Sequence, residues 1–190
     1  MGPENQVLLS KKTFLLLIPK IMAQMRWRES VVIPESGGKA AADASLTPAE
    51  PLPKPVKLAA KEIKELMAFP IDENLSLELD CVYSPSLVAG DPCPYFPWLS
   101  LAVDGRVGKI LEMELTDSRT EKPEAVVVRC LLKTIRKLGK RPRDVGVRRE
   151  TMAAGISLVC EALAIMYFKV SCLPMTDLAY ADLRRHMKNC

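Results

Sequence analysis

Leu75, Leu77, Leu79 and Cys81 alternate with Ser76, Glu78 and Asp80. That period of two predicts a strand over 75–83 with one apolar and one polar face. A proline-punctuated excursion, SPSLVAGDPCPYFP, leads to an apolar run that predicts a second strand over 98–104, and Asp104-Gly105-Arg106 turns the chain into a third over 108–116. After Asp117 the period lengthens. Pro123 suits the first turn of a helix and Glu124 its positive end. Val128, Leu131, Leu132, Ile135 and Leu138 then share one side, with Arg129, Lys133, Arg136, Lys137 and Lys140 on the other. Gly139 ends this helix. Val145 and Val147 predict a short strand within 143–149, and the stretch 150–166, apolar on nearly every side, predicts a buried helix. Phe168, Val170 and Cys172 alternate as a last strand, and Thr176 is expected to cap a final helix over 177–188. The order β-β-β-α-β-α-β-α predicts an α/β domain built on a mixed five-stranded sheet. Its first three strands run antiparallel and its last two join through helix crossovers.

Upstream, the pattern divides the chain into a helical arm (1–33), a linker (34–56) and the α/β domain (57–190). The arm interleaves Phe14, Leu15, Leu17, Ile18, Met22 and Trp27 with Lys11, Lys12, Lys20, Arg26 and Arg28, spacing that suits one or two short helices broken near Pro19. Docking on the protein's own core or on a sister chain is its expected role. The linker, rich in Pro and Ala with no aromatic residue, offers too little apolar surface to offset its ordering entropy. Residues 58–67 return to helical spacing, with Ile63, Leu66 and Met67 on one side.

Composition narrows the chemistry. At 190 residues, 48% hydrophobic and 26% charged, the chain supports one well-buried core. Six cysteines with no CxxC pair, and one histidine, His186, predict reduced and mostly buried thiols, not a zinc site or a disulfide framework. The run FLLLI stops at Pro19, short of the roughly 20 residues a membrane span requires, and no secretory signal is evident. A cytoplasmic location is therefore expected. With no GxSxG elbow, P-loop or GxGxxG, hydrolase and nucleotide-cofactor chemistry find no support. Between 133 and 149 stand eight Lys or Arg against one Asp. Arg129, Lys133, Arg136, Lys137, Lys140, Arg141 and Arg143 form the footprint expected for phosphate-backbone contact, although a net charge of +4 and 5% aromatics fall short of a dedicated nucleic-acid coat.

The element order resembles the ribonuclease H-like fold of nucleases, transposases and retroviral-type integrases, over about 75–188. LELDCVYSP is similar to the first strand of an integrase core, and WLSLAVDGRVGKILEMELTD to the hairpin that follows. The chain also resembles an uncharacterised prokaryotic domain family with such a hairpin, a helix, an RPR-type strand entry and a buried helix. The integrase resemblance implies that Asp80 matches the first metal-binding carboxylate. The second belongs near 143–149, where Arg148 and Arg149 stand with only Glu150 nearby. The third belongs on a late helix, which offers Asp177 and Asp182. Glu124 would substitute for a ligand as an early-helix glutamate does in ribonucleases H; its other reading is a first-turn acid on the helix dipole. Asp80 likewise reads either as a metal ligand or as a solvated face residue.

Three functions follow. The first is a non-catalytic module acting through protein contacts or self-association through the arm, without cofactor. The second binds nucleic acid through the basic helix and the stretch to 149. The third is a divergent nuclease using Asp80 with Mg²⁺ or Mn²⁺, which needs several carboxylates around paired cations.

Overall fold

The computed structural model describes residues 58–91 and 93–188. The arm, the whole of the linker and Cys190 lie outside them. Helix α1 (Ala60–Met67) precedes β1 (Ile71–Tyr83), β2 (Trp98–Asp104) and β3 (Ile110–Thr116). Then come α2 (Pro123–Leu138), β4 (Arg141–Val147), α3 (Glu150–Ala162), β5 (Met166–Lys169) and α4 (Pro174–Lys188). The five strands make one sheet in the order β3-β2-β1-β4-β5. β1–β2 and β2–β3 pair antiparallel, whereas β1–β4 and β4–β5 pair parallel. This is the ribonuclease H-like arrangement that the element order implied.

Alternation along the strands splits the interior in two. Leu75, Leu77, Leu79 and Cys81 of β1, with Val145 and Val147 of β4, pack with Leu66 of α1, Leu131 and Ile135 of α2, and Met152 and Ile156 of α3. The opposite face of β2 sends Leu99, Leu101 and Val103 against Ala179 and Leu183 of α4. Helices thus cover both faces, and the polar side of β1 is half-buried at Ser76 and Glu78 and buried at Asp80. Ser76 donates to Asp144, Glu78 accepts the Thr176 backbone N–H at 2.7 Å, and Asp80 is only 4% exposed. The solvated-face reading of Asp80 is corrected by α4, which lies over it.

Several boundaries move for identifiable reasons. β1 starts at Ile71, because Ile71 and Asp72 pair with Arg141 and Pro142 before an irregularity that ends at Ser76. β3 starts at Ile110, after Gly108 takes the left-handed conformation that the turn requires. α3 ends at Ala162, four residues before its apolar run does: Ile165 N–H bonds back to the Cys160 carbonyl (2.8 Å) and Ala164 adopts φ 53°. β5 therefore occupies Met166–Lys169, earlier than the alternation of Phe168, Val170 and Cys172 suggested. Thr176 lies inside the first turn of α4, with Pro174 at its start, and is not its cap.

α2 and α3 cross where Gly155 faces Glu124. A Cβ on Gly155 would lie 2.8 Å from the Glu124 Cβ, closer than real contacts allow. Overpacking costs typically 1–3 kcal/mol and the gain in helix propensity over glycine returns about 1. Gly155→Ala is therefore expected to destabilise by about 1 kcal/mol, read as a lower urea midpoint at unchanged slope. A more stable variant would mean that the crossing relaxes freely.

Candidate functional site

The site lies at the carboxyl ends of β1 and β4. Asp80 points from β1 toward α4, and its Oδ1 accepts the Cys81 backbone N–H at 2.9 Å. Arg148 leaves the end of β4 on the same side. Its Nη2 hydrogen-bonds Asp177 Oδ1 of α4 at 2.5 Å and lies 3.6 Å from Asp80 Oδ2. One guanidinium therefore spans two carboxylates that belong to distant elements. Asp177, and to a lesser degree Asp80, hold Arg148 above its ordinary pKa, against the opposing effect of burial. Beside this triad Val82, Leu99 and Leu101 wall a pocket of about 150 Å³ that Thr176 and Tyr180 complete. Tyr180 donates its hydroxyl to the Tyr83 carbonyl at 2.8 Å. Arg148 Nε and the Thr176 hydroxyl, both buried, have no hydrogen-bond partner among the described residues.

The donor set does not fit a divalent cation. A cation between Asp80 and Asp177 would have to displace Arg148 or sit against its positive charge. Among the described residues no three His, Cys, Asp or Glu side chains converge as metal ligands. Glu124 is buried in the first turn of α2, on the layer opposite α4. Asp182 instead pairs with Arg185 at 2.9 Å.

The basic stripe of α2 lies along acidic neighbours. Arg129 binds Glu114 (2.7 Å) and Glu121 (2.5 Å), Lys133 binds Glu114 (3.0 Å), and Lys137 binds Glu112 (3.0 Å). The register has a geometric cause: four helical residues rise about 6 Å and two strand residues about 6.7 Å, so an i,i+4 ladder on α2 matches Glu112 and Glu114 on β3. Arg136 meets Glu62 and Glu65 of α1, Lys140 meets Asp72 (2.6 Å), and Arg143 meets Asp144 (2.6 Å). Arg141 is different. It is 8% exposed and donates to the backbone carbonyls of Phe69 (2.9 Å) and Leu163. The ILEMELT alternation of β3 carried the signal for the Glu112 and Glu114 ladder; nothing in the sequence marked the lone Thr176 hydroxyl.

A family profile described as a domain of unknown function, DUF6930, matches residues 62–184. The chain belongs to the DUF6930 family. The matched span takes in Asp80, Arg148 and Asp177 and all five strands of this DUF6930 domain. Among curated proteins none matches the chain. A chain of the simian T-cell lymphotropic virus intasome in complex with PP2A regulatory subunit B56 gamma is similar at 16% identity and TM-score 0.44, covering 73% of this chain and 45% of that one. A chain of the Mos1 strand transfer complex is similar at 11% identity and TM-score 0.36, covering 83% of this chain and 50% of that one. The DUF6930 chain thus spans about half the length of these structures' chains. The fold assignment rests on strand order and direction, not on these likenesses.

The thiols of this DUF6930 domain divide by burial. Desolvation pushes Cys81, Cys130 and Cys160 up to about 12, whereas Cys93 and Cys172 are exposed. The thiolate is the reactive form. Among the described cysteines, a disulfide reagent at pH 8 is expected to modify Cys93 and Cys172 in the native protein and the other three only after unfolding. Rapid native modification of Cys81 would contradict the packing of β1. Among the described residues no helix is long and apolar enough to cross a membrane.

Proposed function

We propose that this DUF6930 domain is a non-catalytic, ribonuclease H-like module of the cytoplasm that acts through protein contacts, with residues 1–33 as the docking arm. One observation carries the reading: the Arg148 guanidinium bridges Asp80, where the integrase resemblance places its first metal ligand, and Asp177, one of the two late-helix acids that could supply the third. An ion triad that holds β1, β4 and α4 together replaces a cation site. Two further observations support it. Six cations of the expected nucleic-acid footprint meet seven carboxylates of the same domain, which leaves little unbalanced positive charge for phosphate. Apolar side chains also stand exposed: Tyr83 at 56%, Phe168 at 50% and Met166 at 51%. Scattered apolar residues are ordinary on a surface, but Met166 and Phe168 lie together on the short edge strand β5, a place suited to contact with another chain.

The test uses the full chain. With Mn²⁺ or Mg²⁺ the protein is expected neither to cleave DNA or RNA nor to rise in Tm, and nucleic-acid binding at physiological salt should be weaker than micromolar. Light scattering should report an assembly larger than one chain, which Phe14→Asp with Leu17→Asp dissociates. Cleavage lost in Asp80→Asn would establish the nuclease reading. Submicromolar, salt-sensitive binding lost in Lys133→Gln with Lys137→Gln would establish the nucleic-acid reading.

A further inference from the structure

The sheet has two edges, β3 and β5, and they differ. Along β3 the Lys137 ammonium donates to the Leu111 carbonyl (2.7 Å), the pairing with β2 slips between Ala102 and Val103, and Glu112 and Glu114 would set like charges against any second copy of the strand. β5 is four residues long, its one charge, Lys169, is paired with Glu150, and its Met166 and Phe168 stand 51% and 50% exposed. Met166 partners Asp144 and Phe168 partners Gly146, so both project to the α4 side of the sheet, beyond the part of it that α4 covers. Val170 N–H bonds the Val147 carbonyl at 2.9 Å. Alternation along a parallel ladder therefore turns the peptide groups of Met166 and Phe168 toward β4 and those of Tyr167 and Lys169 outward.

These directions select a partner strand. A second β5 laid antiparallel must meet outward peptide groups with outward ones and keep side chains on their own face, which leaves registers centred on Tyr167 or on Phe168. Packing and charge favour Tyr167. That register sets Met166 of each copy against the partner's Phe168, thioether on aromatic ring. It also brings Lys169 to the start of the partner's β5, where Glu161 stands in the last turn of α3, exposed and with no cation beside it among the described residues. We infer that two copies of this chain join their sheets through β5, antiparallel about Tyr167. A strand pair this short buries far less than the about 1,200 Å² of a stable interface, so the arms complete it. The inference rests on the reading that the chain works through protein contacts and self-association.

Light scattering on the full chain should report two chains, and Phe168→Lys should weaken the association at least about tenfold, because each copy would set an ammonium against the partner's Met166. Phe168→Leu should retain it. Residue 168 is half-exposed, so the far-UV circular dichroism of both variants should match the parent's. With Cys93, Cys172 and Cys190 replaced by Ser, a disulfide trap reads the register. Tyr167→Cys should form an interchain disulfide at least about fivefold faster than Phe168→Cys, since a hydrogen-bonded pair holds its Cα atoms about 5.5 Å apart and the two copies of position 168 lie about 8 Å apart. Cross-linking that is faster at 168, or equal at the two positions, overturns the inference. So does an assembly that Phe168→Lys leaves intact while Phe14→Asp with Leu17→Asp dissociates it; the arm reading then stands alone. An assembly that only Phe168→Lys dissociates supports the strand pair and sinks the arm reading, whereas a parent that stays a single chain sinks both.

Discussion

Arg141→Ala is expected to destabilise the protein by about 3 kcal/mol, the largest loss of any basic residue among the described residues. The side chain is 8% exposed and has no carboxylate partner among the described residues; it donates to the Phe69 carbonyl at the entry to β1 and to the Leu163 carbonyl after α3. Hydrogen bonds to a charged group contribute about 1.5–3 kcal/mol, and their removal leaves two carbonyls inside the protein without donors. The stem also packs, with Nη1 near the Met67 sulfur, so alanine removes volume as well. Arg141→Met keeps most of that volume and should lose about 2 kcal/mol. Urea midpoints of the two variants separate the contributions. Arg141 was a candidate for phosphate contact, and the same experiment addresses that role: a variant that folds normally yet loses nucleic-acid affinity would return Arg141 to the surface.

Arg148→Met should cost about 2 kcal/mol. Removing one member of a buried ion pair costs about 3–5 kcal/mol because the other charge stays behind. Here Asp80 is 5% exposed in its side chain but Arg148 is 35% exposed and 3.6 Å away. Solvent screening therefore reduces the loss. Asp177, half exposed, can turn to water, so Asp177→Asn should cost less than about 0.5 kcal/mol. The decisive comparison is a double-mutant cycle. Asp80→Asn introduced beside Arg148→Met removes the stranded charge and should recover at least about 1 kcal/mol of the loss. A cycle with no coupling, or an Arg148→Met protein as stable as the parent, would show that the guanidinium does not hold β1 to α4.

The helix boundaries show how far local pattern reaches. Pro123 and Gly139 bracketed α2 in sequence, and both positions are met in the structure, with Gly139 at φ 64° where a side chain would be strained. At α4 the same reasoning chose Thr176, the nearest capping residue. The N-terminal donor there is satisfied instead by Glu78, 98 positions earlier in the chain, and a capping rule confined to neighbours has no means of finding it.

What the sequence determined by itself was the order of the elements and the apolar faces of β1, β2 and α2, because periodicity of two or 3.6 is written in consecutive residues; the face read for the last strand from Phe168, Val170 and Cys172 was not met, since Phe168 and Cys172 are exposed. Leu75 to Cys81, Trp98 to Val103 and Val128 to Leu138 all reach the cores their spacing predicts. Only the tertiary structure decided what each polar residue meets. Glu112 and Glu114 turn the basic stripe into an ion ladder, α4 buries Asp80 on the polar side of β1, and Arg148 reaches both Asp80 and Asp177. The reason is physical: an apolar side chain is satisfied by any dry, well-packed surface, so pattern suffices to place it. A charge is satisfied by a particular partner at hydrogen-bonding distance, and that partner is supplied by strands and helices far away in the chain.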